Sequence, residues 1–251
     1  MRPKNGPTRP YQFEILRYDP AAGAPPRFRA YALQPAGRMS VLEALLRIQA
    51  EHDPSLAFRY SCRGAVCGSC AMSINGKLNL ACRVLLENLP ETRVVLEPLP
   101  RFEILRDLVV DMEPFWKRYE RVRPWLHAQI GQGKESRMSP AERERFDQYV
   151  NCILCGLCVA ACPVSSLREG FAGPAALAKL YRFLADPREN RGSGALEQEN
   201  GEHGVWGCRA IGRCIEVCPK DVRPTDGIAG AKRKLLVERL KGLAGRKPHE
   251  V

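Results

Sequence analysis

Eleven cysteines of this 251-residue chain fall into spaced groups, and thiolates at these spacings suit the binding of iron and sulfide. The first group is Cys62-x4-Cys67-x2-Cys70, with Cys82 after eleven intervening residues. The tight half has the spacing at which one loop wraps a two-iron cluster. Gly64 and Gly68 let such a loop turn sharply and aim amide N–H groups at sulfur. The fourth thiolate must return from elsewhere. Ala71 to Ile74, the pair Asn75-Gly76 and the residues after it read as strand, turn and strand, which fold the chain back and deliver Cys82. A 2Fe-2S cluster on Cys62, Cys67, Cys70 and Cys82 is the expected cofactor here.

The second group, Cys152-x2-Cys155-x2-Cys158-x3-Cys162-Pro163, follows the bacterial ferredoxin spacing at every position. In two-cluster ferredoxins the fourth cysteine of each run serves the other cluster, so a partner run is required downstream. Cys208-x5-Cys214-x3-Cys218-Pro219 supplies it, with Ile211 standing where a second cysteine belongs. Exchanging the fourth cysteines gives Cys152, Cys155, Cys158 and Cys218 for a 4Fe-4S cluster. It leaves Cys162, Cys208 and Cys214 for a 3Fe-4S cluster, whose missing thiolate raises its potential.

Other uses of the cysteines fit less well. Disulfides belong to oxidising compartments and small secreted domains, and zinc explains a C-x2-C pair but not the third and fourth cysteines of a run. The four histidines, His52, His127, His203 and His249, are scattered and are expected to bind no metal. Trp116, Trp125 and Trp206 are expected to serve packing.

Elements must bring these thiols together. Strand patterns cover Phe13 to Tyr18, Phe28 to Leu33, Ala71 to Ile74 and Arg93 to Glu97, with an amphipathic helix from Val41 to Glu51. From Leu105 onwards the periodicity is helical: Asp107 to Tyr119, Pro140 to Gln148, Pro174 to Leu184 and Ile228 to Leu240. The polar stretch Asp186 to Gly204 reads as a surface loop. The expected fold class is α+β: a β-grasp 2Fe-2S domain over residues 1–105, then an all-helical, bacterial-ferredoxin-like domain over 106–251 with the two cubane-type sites.

The N-terminus has no apolar core of a secretory signal, and no stretch approaches the roughly 18 apolar residues of a membrane span, so a soluble or peripheral protein is expected. The formal charge of +11 shrinks once three clusters with their thiolates, at roughly −2 each, are counted. No nucleic-acid motif accompanies the basic residues, so no nucleic acid partner is expected. Lys232-Arg-Lys234 and Arg246-Lys247 suit anionic lipid headgroups or an acidic partner.

Taken together, the cysteine pattern resembles the iron-sulfur subunit of the succinate dehydrogenase and fumarate reductase family. The resemblance continues through Ser61-Cys-Arg-Gly, Ile74-Asn-Gly, Ile104 to Asp111, Gly173-Pro174-Ala175 and Cys218-Pro-Lys. It implies a relay subunit, not catalytic alone, between a flavoprotein carrying covalent FAD and a membrane anchor that meets quinone. Ubiquinone-reactive members carry tryptophan after the first Cys-Pro and histidine after the first cysteine of the last run. Here Pro163 to Arg168 and Cys208-Arg209-Ala210 have neither. Gly204-Val-Trp-Gly-Cys208 and Trp125 to Gln129 look most like the menaquinol:fumarate reductases whose cytochrome b subunit holds two haems b, with this subunit peripheral on the cytoplasmic face of the cell membrane. The competing readings are another quinone-linked reductase and a soluble multi-cluster carrier.

Overall fold

The computed structural model describes residues 10–127, 135–191 and 194–244. They form two compact units: residues 1–113 with 153–161, and residues 114–152 with 162–251. The single division expected at residue 105 follows motifs, whereas compactness groups the ribbon 153–161 with the N-terminal part.

In the first unit β1 (Tyr11–Arg17), β2 (Arg27–Leu33), β3 (Ala71–Ile74), β4 (Lys77–Leu80) and β5 (Arg93–Glu97) make one sheet in the order β2-β1-β5-β3-β4. β1 alternates, burying Tyr11, Phe13 and Ile15, and pairs antiparallel with β2 and parallel with β5. Helix α1 (Val41–Glu51) buries Val41, Leu42, Ala44, Leu45 and Ile48. Its start is fixed by a capping box in which the Ser40 hydroxyl accepts from the Glu43 N–H and the Glu43 carboxylate accepts from the Ser40 N–H.

The helix expected from Asp107 to Tyr119 is not formed as such. A hairpin, β6 (Ile104–Arg106) and β7 (Val109–Val110), turns at Asp107, and α2 covers only Glu113–Arg121. Asp107 adopts φ 45°, and its buried carboxylate accepts from the N–H groups of Tyr18 at 2.9 Å and Ala57 at 2.8 Å and from Arg17 Nε at 2.9 Å. Three long-range bonds to one side chain hold a turn that local helix propensity opposes.

The remaining helices are α3 (Pro140–Glu144), α4 (Asp147–Val150), α5 (Leu157–Ala161), α6 (Pro163–Leu167), α7 (Gly173–Leu184), α8 (Gly194–Glu197), α9 (Arg213–Glu216) and α10 (Pro224–Ala244). In the second unit α7 packs on α10 around Phe171, Leu177, Leu180, Ile228, Ala231 and Leu235. The helix expected over Pro140 to Gln148 breaks into α3 and α4, because Phe146 turns inward and is 1% exposed. The stretch from Asp186 to Gly204 is not simply a surface loop: Asp186 and Glu199 are both 3% exposed. Their charges are held by Arg182 and Arg188 and by Arg121, which is why polar sequence goes inside. Among the described residues no helix is long and apolar enough to cross a membrane.

Candidate iron-sulfur sites

The first cysteine loop is shaped by its own backbone. Arg63 and Ala65 take φ 56° and Gly68 takes φ 75°, so successive N–H groups turn inward. Gly64, Val66 and Cys67 donate to Cys62 Sγ at 3.4, 3.3 and 3.2 Å, Cys62 donates to Cys67 Sγ at 3.5 Å, and Ala65 donates to Cys82 Sγ at 3.3 Å. The N–H groups of Gly64, Cys67 and Val66 bring the Cys62 thiol down to about 6. Burial pushes the Cys70 thiol up to about 12.

Cys82 arrives as the hairpin requires: Asn75 and Gly76 turn at φ 49° and 73°, β3 pairs with β4, and the Ala81 N–H donates to the Cys70 carbonyl at 3.0 Å. Amide donors already aimed at three sulfurs fit an anionic cluster, since they stabilise charge that water would otherwise solvate. A side chain at Gly68 would meet this arrangement's neighbour: its Cβ would lie 2.7 Å from Cys155 Cβ, at a φ that already disfavours L residues. Cys155 therefore lies directly against the loop.

In the second unit Cys162, Cys208 and Cys214 line one apolar cavity with Ile211, Thr225 and Ile228. Cys162 and Cys208 pack against the α7–α10 core and Cys214 is buried. Burial raises the Cys214 thiol, and the neighbouring Cys208 and Cys162 raise it further, as sulfurs sharing one site must. Ile211 is half exposed at the same cavity and offers no donor atom. This suits a 3Fe-4S cluster, in which each of three irons takes one thiolate and no iron occupies the corner beside Ile211.

Of the remaining four cysteines, Cys155 and Cys158 belong to the first unit and Cys152 and Cys218 to the second. Cys152 and Cys218 pack on Phe146, Tyr149, Ala178 and Val222. Burial lowers the Lys179 ammonium, which donates to the Tyr149 carbonyl at 2.9 Å, and the nearby Cys152 opposes that shift. None of the eleven cysteines forms a disulfide. Among the described residues no three His, Cys, Asp or Glu side chains converge as ligands of one ion do; thiolates on different irons of a cluster stand further apart.

The other residues singled out by sequence lie elsewhere. His203 packs on Gly170, His127 stacks on Trp125, and His52 ends α1; His249 lies outside the described residues. Trp206 donates to Asn200 and lies under Lys232, and Trp116 meets Phe115 and Tyr119 edge-on. Sequence reasoning missed Thr225, whose hydroxyl lies 3.2 Å from Cys214 Sγ. The only available signal was a Pro-Thr helix start shortly after the last Cys-Pro.

Comparison with known proteins places both halves. Residues 12–117 match the 2Fe-2S iron-sulfur cluster binding domain and residues 148–222 the 4Fe-4S dicluster domain. The chain is 38% identical over 232 residues to the fumarate reductase iron-sulfur subunit of Haemophilus influenzae, covering 87% of this chain and 90% of that one. It is 39% identical over 231 residues to the succinate dehydrogenase iron-sulfur subunit of Coxiella burnetii, covering 90% and 97%. Among solved structures it is similar to a chain of the Mycobacterium smegmatis Sdh1 complex in the apo form, with a TM-score of 0.80, 26% identity and coverage of 97% and 100%. The α+β class, with a 2Fe-2S domain first and a helical domain after it, is thereby shown.

Proposed function

We propose that this chain, which belongs to the iron-sulfur subunits of the succinate dehydrogenase and fumarate reductase family, is the electron relay of a menaquinol:fumarate reductase. When bound, a 2Fe-2S, a 4Fe-4S and a 3Fe-4S cluster supply one-electron transfer between the FAD of a flavoprotein partner and the haem b of a membrane partner. Cys62, Cys67, Cys70 and Cys82 hold the first, Cys152, Cys155, Cys158 and Cys218 the second, and Cys162, Cys208 and Cys214 the third. By motif, residues 1–105 and 106–251 are the two functional domains.

One observation carries the relay: Gly68 of the first loop has its Cβ position filled by Cys155, a ligand of the second set. Electron transfer weakens steeply with distance, and here a ligand of the second set lies against the loop that carries the first. The backbone N–H groups around Cys62 stabilise the anionic end of the path, and the position of Ile211 leaves the last site short of one thiolate. Pro163 to Arg168 and Cys208 to Ala210 supply no tryptophan or histidine, which supports a quinone pocket on a membrane subunit with two haems b, this chain being peripheral on the cytoplasmic face of the membrane.

Iron and sulfide analysis with EPR on the anaerobically purified complex tests the cluster set: about nine irons per chain and an oxidised 3Fe-4S signal are expected. About ten irons without that signal would sink it. The complete complex should prefer menaquinol to ubiquinol, and this chain alone should turn over neither fumarate nor succinate.

A further inference from the structure

We infer that Thr225 sets the redox poise of the three-thiolate site by donating a hydrogen bond to Cys214 Sγ, raising the midpoint potential of the cluster held there. The inference rests on the ligand set proposed above. The Thr225 Oγ1 to Cys214 Sγ distance is 3.2 Å, within range for a bond to sulfur. In a free thiol either atom could donate. A cluster-bound thiolate has no proton, so the hydroxyl must be the donor.

Two features make this bond stronger than a chance contact. Cys214 is buried, while Cys162 and Cys208 are half-buried, so water competes least at this sulfur. Thr225 is also the second residue of α10, a helix of 21 residues, so the same sulfur lies against the first turn of that helix. The residue before the helix, Arg223, accepts the first backbone bonds through its carbonyl, and an arginine side chain has no acceptor with which to cap free N–H groups. The Cys214 sulfur thus takes the place of a capping oxygen, with the positive end of the helix dipole behind it. Hydroxyl and dipole both favour the more negative, reduced cluster. Only the hydroxyl can be deleted without disturbing the backbone.

The test is an EPR redox titration of the oxidised 3Fe-4S signal in the assembled complex, for the parent and for Thr225→Val, Thr225→Ala and Thr225→Ser. Valine preserves the shape and loses the donor, alanine is well tolerated in a helix, and serine keeps the donor. The midpoint should shift downward in the valine and alanine variants and return close to the parent value in serine, with the 2Fe-2S midpoint unmoved. A valine or alanine variant with the parent midpoint overturns the inference, and so does a serine variant shifted as far as valine, which would assign the effect to packing. Absence of a 3Fe-4S signal in the parent is a different failure, that of the ligand assignment itself.

Discussion

The loop from Cys62 to Cys82 and the cavity of Cys162, Cys208 and Cys214 address the same problem, holding negatively charged sulfur inside a protein, by different means. The loop uses backbone: consecutive N–H groups from Gly64 to Cys67 point at sulfur because three of its residues sit at positive φ. The cavity uses tertiary structure: its sulfurs come from two segments far apart in sequence, and a helix start and a hydroxyl address Cys214. A loop that carries its own donors can stay near the surface, where Cys62 is exposed. A site that borrows donors from helix ends must be packed, and there burial raises the thiol.

The largest expected effect breaks the support beneath the loop. Arg17 bonds to both Asp53 and Asp107, and Asp107 in turn holds the Ala57 N–H on the segment leading to Cys62. Arg17→Met takes the guanidinium from buried Asp107 and leaves Asp53 to the exposed Arg29, at a cost of about 3 kcal/mol. Burial pushes the Asp53 carboxyl up, but bonds from Ser55, Tyr31 and Arg17 outweigh it and hold it well below the usual range. A folded-state value below the unfolded one means that this stabilisation is complete above about pH 4 and is lost as pH falls towards the folded value. Denaturation measured against pH should therefore show the variant's acid limb at higher pH than the parent's. Identical limbs would remove Arg17 from the network.

A smaller effect separates the two designs by paired glycine changes. A Cβ at Gly204 would lie 1.9 Å from the Glu199 carbonyl oxygen, just before Cys208, and one at Gly68 would lie 2.7 Å from Cys155 Cβ. Each replacement by alanine should cost about 2–4 kcal/mol, from overpacking and, at Gly68, positive φ. EPR should show Gly204→Ala losing the 3Fe-4S signal before the 2Fe-2S signal and Gly68→Ala doing the reverse. Equal loss of both signals in both variants would mean that the two regions fold as one.

The smallest change in stability should come from Ile211→Cys, below about 1 kcal/mol for a side chain 51% exposed. Its effect on the metal is large by comparison: a fourth thiolate allows a 4Fe-4S cluster, raises the iron content from about nine to about ten, and lowers the potential. A persistent oxidised 3Fe-4S signal with an unshifted midpoint would place Ile211 away from the open corner.

The sequence by itself determined the chemistry and the local scaffolds. Cysteine spacing is a one-dimensional property, so the thiol groups and the vacancy at Ile211 are legible without a structure. The helix Val41–Glu51 and the strands Ala71–Ile74 and Arg93–Glu97 were equally legible, because apolar periodicity and an Asn-Gly turn act over a few residues. Only the tertiary structure decided what depends on distant partners. Asp107 makes a turn instead of a helix because Ala57 and Tyr18, far away in sequence, donate to it. Glu199 is buried because Arg121, far away in sequence, meets it. Thr225 reaches Cys214 only because α9 and α10 pack together. Periodicity records which face of an element is apolar, but not which polar atom waits opposite it.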